Sequence, residues 1–211
     1  MKVATGKGFE LELPVSYNKM REEAEAVITE SLADRPKALK LWRLMKDDPE
    51  VNADWDMSNY IAVRKLGYND HGDVHMKIVA ANALKMLNLL AEQGIAGDLV
   101  KEKAGDLDDD FLVVLAGALL HDIGNQVHRM EHNAHGVYLA VPILNRLLPK
   151  IYQDPEVLYQ IRGHILHCIF SHEFEIQDLT TESALIGIGD GTDMTKGRGR
   201  VAFDRGNVNI H

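Results

Sequence analysis

The chain has 211 residues, 45% of them hydrophobic and 26% charged, with no apolar run of membrane-spanning length; this fits one sizeable globular core and argues against a membrane span or wholesale disorder. A net charge of -9 disfavours binding to a nucleic-acid duplex or an anionic membrane, yet leaves a small phosphate ligand in play. The lone cysteine, Cys168, and a polar start over residues 1–19 without an apolar leader point to a cytoplasmic protein.

Residues 7–15 alternate apolar Phe9, Leu11 and Leu13 with Glu10 and Glu12 as far as Pro14, which predicts a short strand or extended arm. Helical spacing then predicts helices over 18–32 and 36–46, the second with Pro36 in its first turn. A third is expected to start after Asp70 or Asp73 and to stop at Gly94. Asp108, Asp109 and Asp110 suit the positive end of a helix dipole, and the apolar run 111–120 that follows should be the most buried helix. A helical pattern covers 130–148, with Pro142 predicting a kink or break; Asp154-Pro155 opens a segment to Ile169, and a last helix spans about 181–189. In the tail, 201–203 and 208–210 read as short strands, paired with each other or with the N-terminal arm. Trp42 and Trp55 read as packing anchors.

The histidines carry the functional signal. None of the ten precedes His71, nine fall between His71 and His172, and His211 ends the chain. His121-Asp122 follows the most apolar helix, where an imidazole and a carboxylate leaving water must each find a hydrogen bond or a cation. Alone, the pair reads equally well as a helix-end histidine and its capping aspartate. Its company differs: His71 and His75 are four apart, His128, His132 and His135 repeat spacings of four and three, and His164 and His167 are three apart. Such spacings put imidazoles on one helix face, as in helical metal motifs.

The order of His75, His121-Asp122 and Asp190, in the stretches 75–84, 120–124 and 188–193, resembles the HD-domain superfamily of metal-dependent phosphohydrolases, over about residues 70 to 195. The resemblance implies an all-α fold, an HD-domain helical bundle around a metal site, with short strands or extended arms at the termini. One domain is expected over 1–211: helices and arm in 1–69 packing on the core, a metal-binding core in 70–195, and a basic segment in 196–211.

It further implies that His75, His121, Asp122 and Asp190 are the core ligands, with Asp122 bridging when two metals are present. His132, in His132-Asn-Ala-His-Gly136, resembles the histidine of a His-x-x-x-Gly element in binuclear members. His164 fits the next such histidine, with His167 or His172 as substitutes, and His71 lies where some members carry an extra ligand. Two features depart from the pattern: Asn125 stands where a lysine often follows the motif, and the Gly-Tyr-Pro signature of cyclic-di-GMP phosphodiesterases is absent.

The implied cofactor is one or two divalent transition metals per chain, Fe, Mn, Co, Ni or Zn, all of which suit mixed imidazole and carboxylate ligands. The expected function is hydrolysis of a small phosphoester or nucleotide by metal-activated water, with His121 and Asp122 at the reacting centre. Asp193, His128 and His135 are candidates for proton transfer. Lys196, Arg198 and Arg129 are candidates for the substrate phosphate, with Arg200 and Arg205 beyond, although a basic loop is equally well a solvated surface. Two rivals use the same pocket: an HD-type di-iron oxygenase and a non-catalytic ligand sensor. The expected partner is a small phosphorylated substrate, and the composition is compatible with a homo-oligomer.

Overall fold

Proline and small polar residues set most of the helix starts. Pro36, Pro49 and Pro155 each occupy a first helical position, where a missing N–H costs nothing, and the Asp48 and Asp154 carboxylates accept from the amides just behind Pro49 and Pro155. Asp106 and Thr180 open two further helices with reciprocal caps, to Asp109 and Ser183 respectively. A computed structural model describes residues 2–4, 10–12 and 16–194.

The helices run α1 (Ser16–Ser31), α2 (Pro36–Lys46), α3 (Pro49–Asn59), α4 (Asp73–Glu92), α5 (Asp98–Lys101), α6 (Leu107–Leu120), α7 (His132–Leu147), α8 (Pro155–Ser171) and α9 (Thr181–Gly191). Strands β1 (Lys2–Ala4) and β2 (Glu10–Glu12) form an antiparallel hairpin, with Val3 opposite Leu11. The fold is therefore an all-α bundle with a small hairpin at its N-terminal end. Of the N-terminal arm predicted over 7–15, the described part is β2, and its partner β1 was not predicted; the segment 196–211, with Lys196, Arg198 and the strands predicted there, lies outside the described residues.

Helix α6 is the axis of the bundle. Every residue from Asp109 to Leu120 is buried, and α2, α4, α8 and α9 all pack against it. Its all-round apolar sequence reflects that position, since a helix wrapped on every side has no polar face to keep. Around it one continuous cluster of buried side chains draws on every helix from α1 to α9.

Three expectations need correction. Helix α3 and the π-helical turn Tyr60–Lys65 behind it occupy a stretch where no helix was predicted, although Asp48-Pro49 carries the same start signal as Asp154-Pro155. The short helix α5 was also missed. Helix α7 starts at His132 and runs on through Pro142 without breaking. Pro142 is exposed, so the carbonyl one turn earlier, which loses its amide partner, faces water.

Candidate metal centre

Five helices and two turns bring histidines and carboxylates to one place. The turn before α4 carries His71 and is pinned from two sides: Asn59 Oδ1 accepts from the His71 amide at 3.2 Å, and Asp70 Oδ1 accepts from Gly72 at 2.9 Å. Helix α1 clamps the same region through a row of one-turn spacings. Tyr17 donates to Asp70 at 2.7 Å, Arg21 grips Asp73, and Glu25 holds the buried Lys77 ammonium at 2.9 Å.

The end of α6 is fixed by α3, because Trp55 Nε1 donates to the Leu119 carbonyl at 2.8 Å and Ser58 to the Ile123 carbonyl at 3.1 Å. The first bond satisfies one of the last carbonyls of α6, which have no partner within the helix, and the second ties down the turn that follows. Beyond Asp122 the chain turns tightly through Ile123–Gln126 and passes through a left-handed residue, Glu131 at φ 57°, which launches α7 with His132 in first position. Gly124 makes this approach feasible, since a Cβ there would lie 1.8 Å from the His132 carbonyl oxygen.

Four imidazoles share one arrangement. Each sets Nδ1 against an oxygen: His75 on Asp193 at 2.7 Å, His121 on the Ala118 carbonyl at 2.7 Å, His132 on the Arg129 carbonyl at 3.1 Å and His172 on the Ile169 carbonyl at 2.7 Å. An oxygen there assigns the proton to Nδ1 and leaves the Nε2 lone pair pointing into the cluster. Those lone pairs meet in twos, His75 with His121 at 3.3 Å and His132 with His172 at 3.1 Å. Two acceptors at that distance need a proton or a metal ion between or beside them.

Asp122 stands between the two pairs and divides its oxygens. Oδ2 lies 2.6 Å from His71 Nδ1, 3.4 Å from His121 Nε2 and 3.6 Å from His75 Nε2, while Asp190 lies 3.2 Å from His75 Nε2. Oδ1 faces the other way, 3.1 Å from His132 Nε2 and 3.8 Å from His172 Nε2, with Glu173 3.0 Å from His132 Nε2. The result is two half-sites sharing one carboxylate. His71, His75, His121 and Asp190 stand on one side, and His132, His172 and Glu173 on the other. Candidate ligand atoms within each converging group lie within 4.8 Å of one another, and mixed imidazole and carboxylate donors suit a divalent transition metal.

Burial alone would raise the Asp122 carboxyl; the His121 and His71 imidazoles outweigh it and hold Asp122 well below the usual carboxylate range. Burial likewise opposes charge on His132, but hydrogen bonding to Asp122 and Glu173 pulls it up to about 9, a sign of how strongly that half-site calls for positive charge. His172 is pushed down to about 4 by burial and by His121, and stays neutral. The core of the site is buried. Asp190, Glu173 and Arg129, with side chains 25%, 27% and 31% exposed, mark the side open to solvent.

His71, His75, His121, Asp122, His132 and Asp190, all predicted, come together here. His164 does not. It is half-buried on α8, and the residue that reaches the second half-site is His172, eight positions and about 12 Å further along the helix axis. Asp193 is drawn in, though as the acceptor behind His75 rather than at the reacting centre. His128 is exposed and holds the Met130 amide, and neither it nor His135 belongs to a converging group among the described residues. Glu173 was missed, although Ser171-His172-Glu173 pairs an imidazole with a carboxylate just as His121-Asp122 does. Asn125 was noted only as a departure, yet its amide holds Asp122 Oδ1 at 2.8 Å.

The HD-domain family model matches residues 73–195, the span that contains every one of these groups except His71. The chain belongs to the HD-domain family. HD domains are a superfamily of metal-dependent hydrolases that bind divalent metals. An uncharacterized protein of Methanocaldococcus jannaschii is 48% identical over 162 residues, 77% of this chain, which spans 62% of that relative's length. No solved structure matches the chain. No helix among the described residues is long and apolar enough to cross a membrane.

Proposed function

We propose that this HD-domain protein is a phosphohydrolase that cleaves a small phosphoester or nucleotide, with His75, His121, Asp122 and Asp190 as the principal metal ligands and His71, His132, His172 and Glu173 completing a two-part site. The split of the Asp122 oxygens between two histidine pairs carries this reading, because it suits a carboxylate shared by two cations. A bound divalent metal would supply Lewis acidity, polarising a phosphoryl oxygen and lowering the pKa of water so that hydroxide is available near neutral pH.

The chain's own residues do the rest. Asp193 and the Ala118, Arg129 and Ile169 carbonyls hold four imidazoles in the tautomer that offers Nε2, so ligation costs little reorganisation. The buried walls exclude water from all but one side and strengthen every charge interaction within. On the open side Arg129 is the described cation nearest the ligands and the natural contact for a phosphate oxygen. Lys196 and Arg198 follow Asp193 within a few residues of sequence and are proposed to add positive charge for the same group.

The test is metal analysis followed by a phosphate-release screen of mononucleotides, cyclic nucleotides and simple phosphoesters with Mn, Co, Ni, Fe or Mg added. Asp122→Ala should lose metal and activity together. Full activity in metal-free Asp122→Ala would overturn the proposal, as would iron-dependent oxygen consumption without phosphate release.

A further inference from the structure

The second half-site already holds a positive charge. Arg129 Nη1 lies 2.9 Å from His132 Nε2 and 3.7 Å from Asp122 Oδ1, and Nη2 lies 3.2 Å from Glu173 Oε1. In the neutral ring, whose Nδ1 proton goes to the Arg129 carbonyl, Nε2 is an acceptor and the guanidinium donates to it. One arginine thus contacts this ring on both sides, from its own backbone on one and its own side chain on the other.

The guanidinium touches three of the four groups that converge here, His132, Asp122 and Glu173, and His172 Nε2 is 3.1 Å from the same His132 atom. A divalent ion drawing on those lone pairs would need the directions in which Arg129 donates. A guanidinium and a metal ion cannot use the same lone pairs at once. All of these Arg129 contacts fall on the second half-site.

We propose that Arg129 is an exchangeable resident cation of the second half-site, so that arginine and a metal ion compete for His132, His172 and Glu173. This rests on the metal-site reading above and deepens it. The side chain is 31% exposed at the open side, so it can withdraw into solvent without disturbing the core. With Arg129 inward the half-site offers one diffuse positive charge and hydrogen-bond donors. Displaced by a metal, the same guanidinium is released towards an incoming anion. The ratio of the two states depends on free metal concentration, which makes the second half-site a metal-responsive part of the enzyme.

The experiment is titration of the metal-free full chain with Mn2+ by calorimetry, alongside electron paramagnetic resonance to detect the exchange-coupled pair that forms only when both half-sites fill. Wild type should bind a first ion tightly and a second at least about tenfold more weakly. Arg129→Met keeps bulk and removes the charge; it should tighten the second site by about tenfold or more, bring the coupled signal in at lower Mn2+ and leave the first site unchanged. Arg129→Lys should fall between the two, which keeps the test decisive if the methionine variant folds poorly. Equal second-site affinity in all three proteins overturns the arginine assignment while leaving the metal site standing. Failure of wild type and variants alike to bind Mn2+, Fe2+ or Zn2+ overturns the metal-site reading beneath it.

Discussion

Asp193 Oδ2 accepts the Nδ1 proton of His75 across 2.7 Å, joining the residues just after α9 to the first turn of α4 over 118 positions of sequence. Both groups are buried, so the bond is shielded from competing water and fixes the ring in the orientation that presents Nε2 to His121 and Asp190. Asp193→Ala should weaken binding at the first half-site by about 10- to 100-fold, the usual cost of losing a carboxylate behind a ligating histidine, and leave the second half-site nearly untouched. Competition titration with a chelator reads this directly; unchanged first-site affinity would remove Asp193 from that role.

Trp55 lies outside the matched HD region but supports its central motif. Its indole N–H donates to the Leu119 carbonyl two residues before His121, with both groups buried. Trp55→Phe keeps most of the packing and strands that carbonyl, so a loss of about 1–3 kcal/mol in urea unfolding is expected. Metal affinity should fall with it, because the strand of support runs through the backbone that carries His121. Unaltered stability would mean that the indole acts as bulk alone.

Much of this was legible in the sequence, for reasons particular residues show. Helix α2 begins and ends where its spacing said, since Pro36 at the start and an apolar stripe of Ala38, Leu41, Trp42 and Met45 leave few alternatives. His75, His121, Asp122 and Asp190, which the structure brings together, could be singled out because each sits in a local pattern that survives without coordinates. His172 and His164 could not be ranked in that way: both lie on α8 or at its end, and only the approach of α7 decides which ring meets His132. The pairing of Trp55 with Leu119, Tyr17 with Asp70 and Arg129 with His132 depends on tertiary contact or side-chain direction, to which periodicity is blind.

Gly124 sits in the tight turn behind Asp122, and its missing side chain admits the backbone of α7. A Cβ there would be 1.8 Å from the His132 carbonyl oxygen and 2.5 Å from the Gly136 amide nitrogen, both backbone atoms that cannot swing aside. Gly124→Ala should therefore push α7 outward, costing roughly 3 kcal/mol or more in unfolding free energy and parting His132 from Asp122. Thermal unfolding together with metal stoichiometry checks both halves of the statement. A variant as stable as wild type with full second-site binding would contradict the geometry.

At the other end of α6, Asp110 faces Glu182 of α9, and both carboxyls are buried. Amides of the turn into α5 hold the outer oxygens, Gly97 on Asp110 at 3.0 Å and Asp98 on Glu182 at 2.7 Å, while Asp110 Oδ1 and Glu182 Oε2 find no donor. Burial first, then hydrogen bonding to Glu182 and its charge, push Asp110 up to about 7, so one shared proton is the natural link between the two acids. The charged and titratable groups around them are Asp98, Lys101, Asp178 and the buried Cys168 thiol. An acid with a raised folded pKa binds more protons folded than unfolded between its ordinary value near 4 and about 7, so its contribution falls as pH rises through that window and is lost above it. Asp110→Asn carries no titrating proton and can donate to Glu182 at every pH. Its urea midpoint should accordingly decline less than that of wild type between pH 5 and pH 8, a difference from which titrations elsewhere in the chain cancel. Parallel declines in the two proteins would show that the pair holds no shared proton. A smaller decline would show instead that α6, which leads into His121-Asp122, and α9, which carries Asp190, are joined by a proton at the end away from the candidate metal centre.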